Sequence, residues 1–270
     1  MQRTLSAVIC AAGAMWFSLA GWANAAEETP AAVAGGSFTS NVGLYSNYVF
    51  RGMSYTDNRP AVQGGFDYTN GGWYVGTYAT NVSRNALLDL KQPNNPTANS
   101  GLSMEWDVYG GYNFAPSEGW TVSTGLYNFA YPGASNVSTL EANIGLTWKF
   151  LQLRYNHALS DYFSIPGSHG TRYLEANVNF PLAGGWSISG HIGHQTVKGL
   201  QNYPAAFGGP LASGLADYTD YKLGLTKDIG NGTVIGLAAT RTNGDAAYYT
   251  SASGTKMGKR QVIASVSRSF

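Results

Sequence analysis

The chain has 270 residues, including 35 glycines, with 13% aromatic and only 11% charged residues. Soluble domains carry about 25% charge, and a nucleic-acid surface needs a basic excess that a formal net charge of +1 does not supply. Nothing after the N-terminal segment approaches the roughly 18–20 consecutive apolar residues of a membrane helix.

The first 25 residues read as a signal peptide. Arg3 gives the positive start, Leu5 to Ala20 the apolar stretch, and Ala23-Asn24-Ala25 the small-x-small cleavage site. Cleavage before Ala26 removes Cys10, the one cysteine, so no disulfide, thiolate metal site or thiol nucleophile is expected. It also removes Arg3, leaving 16 − 1 = 15 basic against 15 acidic residues. Residues 26–36 read as a flexible lead-in, and 37–270 as one β domain.

From Phe38 to Tyr68 the sequence alternates. Phe38, Val42, Leu44, Tyr48 and Phe50 share one parity and Thr39, Asn41, Asn47 and Arg51 the other. A turn-rich patch, Met53 to Pro60, precedes Val62, Phe66 and Tyr68. Period two means strand, with opposite faces presented by successive residues. Each run is about as long as a tilted strand needs to cross a bilayer, roughly 9–11 residues.

Strands follow at Trp73–Val82, Leu102–Phe114, Trp120–Ala130, Leu140–Phe150 and Leu151–Asn156, then Thr171–Phe180, Trp186–Val197, Asp217–Ile229, Thr233–Arg241 and Lys259–Phe270. About twelve strands result. Their connectors alternate long and short: Ser83–Gly101, Tyr131–Val137, Ser160–Gly170, Lys198–Ala216 and Thr242–Gly258 against tight turns such as Gly230-Asn231-Gly232. A Greek-key sandwich has no reason to keep that rhythm. A transmembrane up-and-down antiparallel β-barrel does. Aromatic residues cluster beside the short turns (Phe38, Tyr68, Trp73, Phe114, Trp120, Trp148, Phe150, Phe180, Trp186 and Phe270), where a membrane barrel carries a girdle.

Parity then assigns the faces. The expected lumen lining is Arg51, Asp67, Glu105, Asp107, Glu141, Lys149, Arg154, Glu175 and Lys222, with Asp220 and Asp228 also inward. An acidic excess predicts a weak cation preference. His191 and His194, three apart on a strand, point to opposite faces and do not chelate together. No Gly-x-Ser-x-Gly elbow, His-Glu-x-x-His or phosphate-cradling loop occurs, so no catalytic site, cofactor or metal is expected.

The last strand ends on Phe270, which resembles the C-terminal signature recognised by the barrel-assembly machinery. Closer likeness lies in Ser46-Asn47-Tyr48-Val49-Phe50-Arg51-Gly52, Asp57 to Tyr68, Glu105-Trp106-Asp107-Val108-Tyr109-Gly110-Gly111-Tyr112, Tyr131-Pro132-Gly133 and Asn177-Val178-Asn179-Phe180-Pro181-Leu182. Across the mature chain these resemble the TorF family, a bacterial family of unknown function classed with porins. The resemblance implies an outer-membrane barrel in contact with lipid. Together with the pattern it gives the expectation of a channel for small hydrophilic solutes. The competing expectation is a non-conducting adhesin or receptor acting through its long outer loops.

Overall fold

The computed structural model describes residues 36–88, 101–134, 137–163, 165–203, 205 and 209–270. The expected signal peptide and nearly all of the lead-in lie outside the described residues, as does most of the Ser83–Gly101 loop.

Twelve strands close into an antiparallel barrel: β1 (Ser37–Tyr45), β4 (Ala61–Asn70), β5 (Trp73–Asn81), β6 (Met104–Phe114), β7 (Trp120–Ala130), β8 (Thr139–Trp148), β9 (Leu151–Ala158), β10 (Arg172–Pro181), β11 (Trp186–Thr196), β12 (Tyr218–Gly230), β13 (Thr233–Thr242) and β14 (Gln261–Ser269). Each pairs with its sequence neighbours along the barrel, and β1 closes on β14 with Leu44 opposite Val266. Phe270 and Ser40 exchange both backbone hydrogen bonds at that seam, at 2.9 and 3.2 Å. No edge strand is left to satisfy, which a membrane requires of β-structure.

The alternation read from the sequence is the alternation of faces. Leu44, Val62, Phe66, Val108, Ile144, Leu174, Leu223 and Leu237 project outward and are exposed, while Gln63, Glu105, Asp107, Glu141, Asn156, Glu175 and Thr240 are buried inside. This inverts a soluble protein, whose surface carries the polar side. At the short-turn end the outward aromatics touch in pairs around the rim. Phe38 meets Tyr68 at 4.6 Å between ring centroids, Trp73 meets Tyr112 at 4.9 Å, Trp120 meets Trp148 at 5.8 Å, and Phe150 meets Phe180 at 5.2 Å.

Inside, tyrosines lie over glycines of adjacent strands. A methyl group on Gly193 would sit 1.9 Å from the Tyr173 hydroxyl, and one on Gly76 would sit 2.5 Å from the Tyr109 ring. The strand glycines thus leave room for large inward rings.

The packed core is in the lumen, at the long-loop end. Here the structure departs from the expected first hairpin. β1 stops at Tyr45, and residues 46–60 turn back into the barrel as a small hairpin of β2 (Val49–Phe50) and β3 (Met53–Ser54). Tyr48 and Phe50, expected to face lipid, are each 1% exposed and lie inside. Phe50 packs against Phe129 at 5.3 Å and Phe163 at 6.0 Å, and Tyr48 against Tyr55 at 5.8 Å.

The hairpin tip is Arg51-Gly52, with φ of 45° and 76°. Positive φ at both central residues gives the turn whose twist suits a two-residue hairpin. Glycine adopts it freely, whereas arginine is strained there by about 1–2 kcal/mol. Asn47 ties the base together: its Oδ1 accepts from Ser54 Oγ at 2.7 Å and Thr56 Oγ1 at 2.8 Å, and its Nδ2 donates to Gln261 on β14.

Candidate functional site

The inner wall at the outer third of the barrel and the hairpin that fills it make one polar network. Its centre is Arg51. The guanidinium clasps Glu141 of β8 with both terminal nitrogens, at 2.9 and 2.7 Å. Nη1 also donates to Gln195 Oε1 at 3.1 Å and to the Tyr162 hydroxyl at 3.2 Å. The cation lies 4.4 Å from the Tyr173 ring centroid, within cation–π range. Burial alone would depress the Arg51 guanidinium, but the Glu141 carboxylate beside it more than offsets this and keeps it charged. The contacts explain the strained backbone at residue 51: they require an arginine at the hairpin tip.

A second group stands on β6. Glu105 Oε1 accepts from the Tyr48 hydroxyl at 2.6 Å and Oε2 from the Tyr131 hydroxyl at 2.5 Å; Asp107 Oδ2 accepts from Tyr127 at 2.9 Å. Asp67, only half-buried, accepts from Tyr109 at 2.7 Å. These carboxylates are held by phenol hydroxyls rather than by cations. Tyr48 belongs to the inward hairpin, so Glu105 is a second point at which the wall grips it.

A third group joins β10, β11 and β12. Tyr173 donates to Asp220 Oδ1 at 2.7 Å, and His191 Nε2 lies 2.9 Å from Asp220 Oδ2. His191 Nδ1 is 2.6 Å from Asn177 Oδ1, whose amide donates to Glu175 at 3.0 Å. Arg154 of β9 sits opposite Glu175 in register, buried inside the wall. Lys222 of β12 faces the same space, opposite His191.

Of the nine residues expected to line the lumen, Glu105, Asp107, Glu141, Arg154, Glu175 and Lys222 project inward from strands, Asp67 from the short-turn half of β4. Arg51 is inside too, but it arrives on the hairpin rather than on a strand. Lys149 is a correction. It occupies the tight turn between β8 and β9 at φ 52°, exposed, with its ammonium 4.9 Å from the Trp148 ring centroid. A two-residue turn reverses parity within itself, so strand alternation does not carry into it. Asp228 likewise leaves the wall: it is exposed and caps the β12–β13 turn by accepting from the Gly230 amide at 2.7 Å.

The tyrosines are absent from the expected lining, although Tyr109 shares the polar parity of Glu105 and Asp107. Tyr109, Tyr173 and Tyr218 lie at inward positions on the same strands as the acids, and Tyr127 stands opposite Glu141 on the neighbouring strand. Their shared parity with the acids was the available signal. Toward the short-turn end the inward residues include the small, neutral Asn41, Ser123, Thr226, Ser265 and Ser267 beside Asp67, Tyr74 and Gln152. The hairpin and loops thus fill the lumen at its long-loop end.

The hairpin is also fastened from above. Asp57 accepts from Ser251 Oγ at 2.7 Å and from Ser253 Oγ, both in the last outer loop. Burial raises the Asp57 carboxyl, but hydrogen bonds from Ser253, Ser251 and Thr255, with Arg59 nearby, overcome this and hold it below the usual carboxylate range. A depressed native pKa stabilises the fold above the unfolded value of about 3.9 and loses that contribution as pH falls through the native one. Hydrogen exchange at the bonded hairpin amides Ser54 and Tyr55, referred to the intrinsic rate at each pH, should therefore stay slow from pH 7 to 5 in the wild type and lose protection below about pH 4. Asp57→Asn should exchange faster at neutral pH and lose this acid dependence.

A family model covers residues 29–270, described as a bacterial protein of unknown function (Gcw_chp). The TorF designation expected from the motifs does not figure in that description. No curated protein sequence matches the chain. Among solved structures it is similar to the KdgM porin, with a TM-score of 0.51 at 7% identity, covering 87% of this chain and 99% of that one. The KdgM porin in complex with disordered oligogalacturonate gives 0.50 over the same coverage. The NanC porin gives 0.49 at 11% identity, with 87% and 99% covered. At such identities the likeness is one of fold, a closed barrel of the outer-membrane porin type, and the chain belongs to the Gcw_chp family.

Proposed function

We propose that this protein is an outer-membrane channel that passes small hydrophilic solutes by diffusion, its outer mouth narrowed by the 46–60 hairpin. One observation carries the reading: a closed twelve-stranded barrel with a polar inner wall and an apolar outer face. Eight strands enclose a space that side chains fill, and sixteen leave an open pore. Twelve with an inserted hairpin make a narrow, strongly shaped passage. Passage rather than turnover is the chemistry such a wall suits, since its carboxylates are engaged by tyrosines and Arg51.

The inward carboxylates are Asp67, Glu105, Asp107, Glu141, Glu175 and Asp220, six against the three cations Arg51, Arg154 and Lys222. That excess supports a weak preference for cations. Reversal potentials under a salt gradient in a planar bilayer should displace toward the cation; displacement toward the anion would overturn the preference. The outward face contacts lipid in this reading, and Phe270, 68% exposed at the end of β14, presents the signal for barrel assembly.

A second reading has its own observation. Tyr48, Phe50 and Tyr55 of the hairpin and the loop residues Tyr131, Tyr162, Phe163, Tyr203 and Tyr249 belong to one buried cluster, as in a closed receptor or adhesin. Swelling of proteoliposomes in graded sugars separates the two. A channel admits the smallest sugars at a rate that falls with size. A barrel that admits none, with or without its hairpin, is a receptor.

A further inference from the structure

The outward face of the strands is not uniformly apolar. Among the described residues its charged side chains are Arg172, Lys227, Arg241 and Arg268, all cations, and no carboxylate shares that face. At the long-loop end two arginines come together. Arg241 is the penultimate residue of β13, and Arg260 immediately precedes β14. Thr240 pairs with Gln261, so Arg241 and Arg260 stand opposite one another one step further along. Both are exposed. Neither forms an ion pair or a side-chain hydrogen bond among the described residues. The acids of the neighbouring loops are taken by backbone amides. Asp217 accepts from Val197 at 2.8 Å, and Asp245 from Ala247 and Tyr248 at 2.8 and 2.9 Å. A single arginine at a membrane surface reaches water by extending its stem. Like charges directly across a strand pair repel, so this pair calls for an anion between them.

A groove leads away from the two arginines across the outside of β10 to β13. It measures about 540 Å³ and has both of them in its wall, within the roughly 300–1,000 Å³ of small-molecule sites. Differences in side-chain size make it. Ala176, Gly190 and Ala239 form the low ground, while Ile192, Tyr221 and Leu223 rise around it. The register interleaves them: Ala176 stands opposite Ile192, Gly190 opposite Leu223, and Leu223 opposite Ala239. Tyr221 sits between Ile192 and Arg241, joining the apolar groove to its charged end.

We propose that this groove binds one lipid whose phosphate headgroup carries a net negative charge, the phosphate bridging Arg241 and Arg260 and an acyl chain lying over Ala239 and Gly190. Guanidinium groups suit the role, since each offers paired donors to a phosphate. The apolar groove continuous with the arginines marks a lipid rather than free phosphate, because a free anion leaves it bare. A second copy of the chain fits less well. Two barrels side by side in one membrane share an orientation, so contact through this face brings four arginines together at one level. The proposal rests on the reading of the outer face as embedded in a bilayer.

The test is native mass spectrometry of the full-length barrel refolded in detergent, titrated with phosphatidic acid or with phosphatidylcholine of the same acyl chains. A basic residue near the membrane surface favours an anionic lipid by about fivefold. One phosphatidic acid should therefore be held about twenty-five-fold more tightly than phosphatidylcholine. Arg241→Gln and Arg260→Gln should each lose about fivefold, and the double variant the whole preference. Lys227→Gln, which removes a cation at the other end of β12, should lose none. Ala239→Phe fills the groove and keeps both charges, and should weaken phosphatidic acid several-fold. The shift of folded barrel on an unheated gel confirms that each variant has folded. Equal retention of the two lipids, or a preference untouched by the double variant, would overturn the site. Displacement of the lipid by an equal concentration of inorganic phosphate would make the ligand a free anion. A dimer abolished by Ala239→Phe would seat a second copy there instead. Folding into phosphatidylcholine vesicles is measured alongside, so the two readings fail separately. A barrel that inserts but shows no lipid preference loses the site and keeps its membrane. One that inserts into no vesicle loses the membrane, and the site with it.

Discussion

Arg51→Met is expected to release the inward hairpin and raise single-channel conductance several-fold. The guanidinium and Glu141 are almost wholly enclosed, with side-chain exposures of 1% and 3%. Removing one partner of such a pair leaves the other as an uncompensated buried charge, at a cost of about 3–5 kcal/mol. At 1.4 kcal/mol per tenfold, that shifts the docked-to-undocked ratio by about two to three and a half orders of magnitude. The Tyr48–Glu105 and Asp57–Ser251 contacts remain and set how far the hairpin moves. Chymotrypsin reads the result directly, since Tyr48 and Tyr55 are 1% and 7% exposed when the hairpin is docked. Both sites should become cleavable in Arg51→Met. The double variant Arg51→Met with Glu141→Leu should recover most of the protection, because it leaves no unpaired charge. Conductance and cleavage that stay at wild-type levels in the single variant would mean that the ion pair does not hold the hairpin shut.

The architecture was legible because the two faces of each strand are chemically opposite and the connectors alternate in length. Leu102 to Phe114 shows it plainly: Met104, Trp106 and Val108 face outward while Glu105, Asp107 and Tyr109 face inward. The plug escaped for the same physical reason. Residues 46–51 continue the parity of β1, and an amphipathic strand looks alike in sequence whether its apolar side meets lipid or a packed lumen. What separates the two is long-range: Asn47 reaching Gln261, and Arg51 reaching Glu141. Neither partner is marked by spacing. Lys149 was misplaced because alternation holds only while the chain stays extended, and the turn at 149–150 ends that. The carboxylate partners were obscured by tyrosine's double nature, counted as apolar in composition but acting here through its hydroxyl.

The outer face supplies the sharpest test of the membrane itself. Leu223 on β12 is 62% exposed, midway between the aromatic rim near Trp186 and the outer loops. Near the bilayer midplane, arginine on the lipid face of such a barrel costs about 2–4 kcal/mol. Leu223→Arg should therefore lower stability by about that amount when the barrel is folded into phosphatidylcholine vesicles and titrated with urea. Leu223→Ser, polar but uncharged, should cost less. On the inner side of the same strand, Thr226→Ser meets a polar wall and should cost under about 1 kcal/mol, in line with substitutions that disturb no packed or charged feature. The contrast matters more than either value. In water an exposed leucine replaced by arginine changes stability by within about 0.5 kcal/mol, so a large penalty at 223 appears only if hydrocarbon lies against that face. Were Leu223→Arg as benign as Thr226→Ser, the apolar exterior would have some other partner, and the channel reading would lose the surface on which it stands.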